Sequence, residues 1–180
     1  MRIVAGKYRA KQLFVPKGLN VRPTLERTRE ALFSILYSKG VNFNNTSVLD
    51  VFAGTGAFGF EALSRGAQKV TFVDKDIKAV SKNASLFEDD SKKIKIIKAD
   101  VANLPIIGEK FDLVFMDAPY SKGLTQIAIN SLLQKDLIAK NALCLIETAK
   151  EESLIMPSEF ELCDDRTYGI ARIRFFVYKK

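Results

Sequence analysis

With 180 residues, 47% of them hydrophobic and 27% charged, the chain has the make-up of a globular domain with a sizeable core, not of a disordered or fibrous protein. It holds no histidine, which excludes histidine-based triads and the usual zinc ligand sets, and no apolar run nears the ~20 residues of a membrane span. Lys and Arg number 28 against 21 Asp and Glu, so the net charge is +7 and an anionic partner is the first expectation.

The positive charge is unevenly placed. Arg2, Lys7, Arg9, Lys11, Lys17, Arg22, Arg27 and Arg29 crowd the start of the chain, opposed there only by Glu26 and Glu30. A solvated basic face is the plain explanation of such a run; contact with a phosphate backbone is the functional one. The opening MRIVAGKYRAK has no apolar signal-peptide core, so a cytoplasmic location is expected. Cys144 and Cys163 sit singly in strand-like runs and read as reduced core residues, and no metal-ligand spacing exists.

From Met1 to Val15 the pattern alternates around Gly6, which predicts a short β-hairpin or extended arm outside the main fold. Residues 1–22 are therefore read as a basic arm and 23–180 as the main domain. Pro16, Gly18, Asn20 and Pro23 make an irregular loop. Thr24 can cap a helix that carries Leu25, Leu32, Ile35 and Leu36 at helical spacing and stops near Gly40. Strands are predicted at 47–53, 69–74, 93–99, 112–117, 142–148, 159–166 and 171–178, and helices at 57–65, 76–88 and 123–139. Apolar strands alternating with helices predict an α/β three-layer fold whose first strands are parallel. Only Gly169 and Ile170 separate the last two strands, which permits an antiparallel hairpin and no crossover helix.

The chemistry gathers at strand ends. The run VLDVFAGTGAFG is a buried strand, a Gly54-x-Gly56-x-x-Gly59 turn and a helix start. Such a turn lets backbone approach a ligand and presents helix N–H groups to it. Asp50 stands just before the turn. Twenty residues after Gly54, Asp74 ends the next strand, where a carboxylate accepts from a ribose diol. Asp100 ends the third strand and can accept from an adenine amino group; capping of the next turn is its plainer role. Together these residues predict an adenosine-type cofactor. The fourth strand delivers Asp117-Ala118-Pro119-Tyr120, a carboxylate beside an aromatic face, suited to a flat ring that bears an amine.

These features suggest methyl transfer from S-adenosylmethionine to a base amine, a reaction that needs positioning and charge stabilisation but no nucleophilic side chain and no metal. Aspartate offers two acceptors, which matches the adjacent N1–H and N2 donors of guanine better than the donor–acceptor edge of adenine. Three other readings stand beside it: an amine methylase of another nucleic acid such as DNA adenine, a dinucleotide-dependent oxidoreductase, and a non-catalytic RNA-binding factor. The short chain, with no visible target-recognition domain, argues against the DNA enzyme. The DAPY turn and the basic arm have no task in the oxidoreductase.

The segments RIVAGKYRAKQL, VRPTLERTREALFSIL, VLDVFAGTGAFGFEALSRGA, VDKD, KAD and DAPY cover most of the chain. In them the sequence resembles the RsmD-type methyltransferases, which methylate the N2 amine of a guanine in small-subunit (16S) ribosomal RNA. The resemblance implies a Rossmann-like class I methyltransferase fold with a seven-stranded, mostly parallel sheet and an antiparallel C-terminal hairpin. It implies S-adenosylmethionine at Asp50, Phe52, Gly54, Gly56, Asp74 and Asp100, and a flipped guanine at Asp117, Pro119 and Tyr120. Arg22 and Thr24 would lie near the mouth of the site. Arg2, Lys7, Arg9, Lys11, Arg22 and Arg27 would contact ribosomal RNA, free or in an assembling particle, with the protein acting as a monomer. The family usually shows Asp-Pro-Pro-Tyr; Ala118 here frees one φ angle and restores an N–H.

Overall fold

The apolar run before the glycine turn becomes β1 (Ser47–Val51), a strand with a neighbour on each side and almost no solvent contact. The computed structural model describes residues 1–17, 23–120 and 123–180, with side chains in the first helix from Glu26 onward. After helix α1 (Pro23–Ser38) and β1, the chain runs through α2 (Ala57–Ser64), β2 (Lys69–Asp74), α3 (Lys78–Ala84), β3 (Ile94–Lys98) and β4 (Phe111–Asp117). It ends with α4 (Leu124–Gln134), β5 (Ile138–Ala149), β6 (Phe160–Tyr168) and β7 (Ala171–Tyr178).

The strands form one sheet in the order β3-β2-β1-β4-β5-β7-β6. The first five are parallel, and β7 runs antiparallel to both β5 and β6. This is a Rossmann-like class I methyltransferase fold, with helices on both faces. From β1 the chain steps outward to β2 and β3, then returns to the other side of β1 as β4. The strand order reverses between β1 and β4, and α/β sheets open a binding crevice beyond the carboxyl ends of such a pair.

Two apolar layers hold the sheet. On one face Val48, Phe72, Leu113, Phe115 and Phe175 meet Phe33 and Leu36 of α1 and Phe58, Phe60 and Leu63 of α2. On the other, Leu49, Val51, Val114, Met116 and Ile146 meet Ala128, Ile129 and Leu132 of α4. Cys144 is buried in this second layer, whereas Cys163 is exposed on β6, contrary to the expectation of two core cysteines.

The N-terminal segment also departs from expectation. It does not lie outside the main fold: Ile3, Tyr8 and Leu13 are buried in the first apolar layer. The expected hairpin forms in a short version: Arg2 bridges Gln12 antiparallel, the Ile3 N–H donates to the Lys11 carbonyl at 3.0 Å, and the Leu13 N–H donates to the Met1 carbonyl at 2.9 Å. It lies on the main fold because the segment bonds to α2 as well as to itself. The N–H groups of Val4 and Ala5 donate to the Glu61 carboxylate at 2.7 and 3.0 Å, and those of Lys7 and Tyr8 to Ser64. Gly6 sits so close that an added Cβ would lie 1.9 Å from the Ser64 carbonyl oxygen.

Smaller differences have local causes. Strand β1 stops at Val51 because Phe52 turns to φ 61°. Helix α4 stops at Gln134, short of the expected end, because Asp136 takes φ 52°; Leu137 and Ile138 are buried, and β5 starts at Ile138.

Candidate active site

The glycine turn uses its three glycines for three purposes. At Gly54, with φ 55°, an added Cβ would meet only the Phe52 carbonyl oxygen at 3.9 Å, so the residue keeps space free for a ligand. At Gly56, φ 76°, a Cβ would strike the Phe60 ring at 2.6 Å, and at Gly59 it would lie 2.3 Å from the Phe72 ring. Gly59 lets α2 pack hard on β2, and Gly56 holds the turn's shape beside Phe60 and Val80. Carboxylates fix the same backbone. Asp50 accepts from the Gly59 N–H at 2.9 Å, and Asp74 accepts from the Gly54 N–H at 2.8 Å. The Asn83 amide donates to the Thr55 and Phe14 carbonyls, tying the turn to the N-terminal segment.

Beyond the turn lies a cavity of about 590 Å³, lined by Asp50, Phe52, Gly54, Phe115, Asp117, Tyr120 and Glu147 among others. That volume suits a drug-sized ligand. Register explains the convergence. Val51 pairs with Met116, so Phe52 and Asp117 leave neighbouring strands at the same level, and Asp117 in turn pairs with Glu147 of β5. Phe58 and Phe115 also line the cavity, stacked with ring centroids 4.0 Å apart.

The electrostatics are those of carboxylates gathered in one place. Burial pushes Asp50 well above the ordinary carboxylate range; the Gly59 N–H works against this, while Asp117 and Asp74 add to it. Asp117 keeps surface open to the crevice but has protein on most sides. Its desolvation first, then the charge of Glu147, raise it to about 7. Burial likewise raises Glu147, against a hydrogen bond from the Tyr120 hydroxyl at 2.9 Å.

The structure thus brings Asp50, Phe52, Gly54, Asp117 and Tyr120 to one crevice. Gly56 stands behind it as packing. Asp74 ends β2 and Asp100 follows the end of β3 by two residues, on the same edge of the sheet but outside the lining residues. Asp100 caps the following turn, accepting from the Ala102 N–H at 3.0 Å, and pairs with Lys75. That N–H first, and Lys75 second, lower its pKa. Ala118 is buried and Pro119 exposed next to it.

Sequence reasoning missed Glu147, Arg29 and the Tyr168–Ala171 turn, all of which line the crevice. For Glu147 a signal existed: it is the acid at the carboxyl end of the apolar run ALCLIET. Arg29 was counted in the basic run but is buried. Its Nη2 donates to the Arg2 carbonyl at 2.5 Å, and its Nε lies 3.5 Å from Glu61.

The other basic residues divide. Arg2 pairs with Glu26, Lys7 with Asp90 at 2.9 Å, and Lys11 donates to the Leu86 carbonyl. Arg9 and Arg27 are exposed, make no ion pair among the described residues, and share a polar cavity of about 440 Å³ with Arg2, Glu26 and Glu30. Arg22 and the Thr24 side chain lie outside the described residues. No helix among the described residues is long and apolar enough to cross a membrane, and no group of metal-ligating side chains is found among them.

A family model described as Conserved hypothetical protein 95 matches residues 1–177. The chain belongs to this family. It is 35% identical over 182 residues to the Ribosomal RNA small subunit methyltransferase D of Haemophilus influenzae, covering 98% of this chain and 93% of that one. Its identity to the protein of the same name from Escherichia coli K12 is 33% over 181 residues, covering 98% and 89%. A crystal structure of a proposed methylase from Haemophilus influenzae superposes with TM-score 0.82 at 32% identity, covering 99% of this chain and 98% of that chain. The matched length thus includes the N-terminal segment as well as the sheet, in keeping with the shared core described above.

Proposed function

We propose that this protein transfers a methyl group from S-adenosylmethionine to the exocyclic N2 amine of a guanine in small-subunit ribosomal RNA. Kinship makes it a small-subunit ribosomal RNA methyltransferase with S-adenosylmethionine as donor; the guanine amine and the residue roles are our reading. The observation that carries it is the shared crevice, in which the Asp117 carboxyl and the Tyr120 ring stand across from the glycine turn.

When bound, S-adenosylmethionine supplies an electrophilic methyl group on a sulfonium. Gly54 leaves room for it, and the Asp74 carboxylate, already gripping the Gly54 N–H, has acceptor capacity left for a ribose hydroxyl. Tyr120 stacks against the flipped base and Pro119 stiffens the turn. Ionised Asp117 accepts from the guanine N–H groups. As the amine lone pair forms the N–C bond and the C–S bond breaks with its electrons staying on sulfur, positive charge grows on nitrogen. Asp117 stabilises that charge and takes the proton that leaves. Arg9 and Arg27 hold RNA phosphates, joined by Arg2, Lys7, Lys11 and Arg22 of the basic segment. Residues 1–22 serve as the RNA-contacting part and 23–180 as the methyltransferase part of a cytoplasmic monomer acting on free RNA or an assembling particle.

The test is transfer of labelled methyl to ribosomal RNA, small subunits and duplex DNA in parallel, with the product nucleoside identified by mass spectrometry. N2-methylguanosine in small-subunit RNA is expected. Methyl found only on adenine, or only in DNA, would overturn the reading.

A further inference from the structure

Glu147 has no role in the chemistry just described, yet it bonds one group that does and is the register neighbour of the other. It follows the buried run Ala142–Ile146 of β5 and lies beside Asp117, its register partner on β4, where parallel strands lie about 4.8 Å apart. Alternation along the strands puts Asp117 on the face of Phe115 and Glu147 on the face of Leu145, both in the same apolar layer, so the two carboxyls point to one side. Both line the crevice, and Glu147 accepts the Tyr120 hydroxyl hydrogen bond at 2.9 Å.

We infer that Glu147 is a positioning residue of this site: it tethers the Tyr120 ring and, from the next strand, governs how readily Asp117 holds or gives up a proton. The inference rests on the base-methylation reading. Two neighbouring carboxyls in a crevice resist being ionised together, and a hydroxyl donor on one of them directs the negative charge to that one. A base whose N–H groups approach Asp117 then supplies the donors that draw ionisation there instead.

Among the described residues, the cations near the pair are engaged with other partners. Asp50 faces the pair from β1, Arg29 from α1 and Tyr168 from β6, and Glu152 adds charge near Tyr120 from the segment after β5. Arg29 is committed to Glu61 and the Arg2 carbonyl. On β7, Arg174 binds Thr148 and the Glu152 carbonyl, and Arg172 binds Asp165. Among the described residues neither Asp117 nor Glu147 has an ion-pair partner.

The experiment is a carbon-13 NMR titration of the Asp117 side-chain carboxyl in the ligand-free protein, for the wild type, Glu147→Gln and Glu147→Ala. The wild-type midpoint is expected at about 7. Removing the neighbouring charge in Glu147→Gln lowers it by about 1 pH unit. Only ionised Asp117 offers both oxygens as acceptors and can take the proton that leaves, so methyl transfer is lost as pH falls through this midpoint. The rate at pH 6, relative to the plateau at high pH, therefore rises from about one tenth to about one half in Glu147→Gln. Glu147→Ala also frees the Tyr120 hydroxyl and raises KM for RNA about fivefold, an effect that Gln, whose amide oxygen still accepts, largely avoids. Should the Ala variant not fold, the Gln titration decides. Equal Asp117 midpoints in wild type and Glu147→Gln would overturn the inference even if the wild type methylates RNA. A wild type that transfers no methyl group would instead overturn the functional reading, whatever the titration gives.

Discussion

The two walls of the crevice are built differently. On the wall of β1, α2 and β2, position is set by backbone: glycines that admit no side chain, N–H groups pinned by Asp50 and Asp74, and an aromatic layer behind. On the wall of β4, β5 and the β6–β7 turn, position is set by side chains from distant parts of the chain, Asp117, Tyr120, Glu147 and Tyr168. The first wall is part of the protein's core, and the second is an assembly of polar groups laid on a finished sheet. Substitutions on the first should therefore be felt as lost stability, and on the second as lost activity in a protein that still folds.

The largest expected effect lies on the first wall. Glu61 is fully buried and serves the Val4 and Ala5 N–H groups, Arg65 at 2.9 Å and Arg29 at 3.5 Å. Glu61→Ala leaves these groups without their acceptor and should destabilise the fold by about 3–5 kcal/mol in denaturant unfolding. A loss below about 1 kcal/mol would mean the N-terminal segment is not the anchored element described here. Next comes Asp117→Ala, expected to lower the methyl-transfer rate about 10²–10³-fold with the unfolding midpoint nearly unchanged. If stability fell as far as activity, the distinction between the walls would collapse. Gly59→Ala gains helix propensity but drives a methyl against the Phe72 ring, and should cost about 1–3 kcal/mol net. A neutral or stabilising result would show that β2 yields where close packing is claimed. The smallest effect belongs to Arg9→Ala and Arg27→Ala. Each should weaken RNA binding similarly for all sequences and reduce the salt slope by about 1, measured by binding at several ionic strengths. An unchanged slope would remove these two from the RNA-contacting set.

The same division explains what could be read from the sequence. Local chemistry was legible: the strand–glycine–helix run, Asp74 at its fixed distance, and a two-residue hairpin at Gly169-Ile170 each follow from neighbouring residues. All seven strands were found, with bounds set wrong where one residue such as Phe52 or Asp136 takes a positive φ that no pattern announces. Partnership across the sheet was not legible. Glu147 meets Asp117 only through the register of β4 and β5, and Arg29 reads as one more surface cation until Glu61 is seen beneath it. The basic opening segment misled for a related reason. Its apolar residues Ile3, Tyr8 and Leu13 are too few to suggest a core, yet they complete one supplied by α1 and α2.

Helix α2 spans only eight residues, about 12 Å. One end receives the glycine loop, and its last turn carries Glu61 and Ser64, the grips for the basic opening segment. On the proposed function, a nucleic acid strand held by that segment would be linked through this one short helix to the loop proposed to seat the methyl donor. Seating one reactant and shaping the seat of the other would then be jobs of one mechanical part.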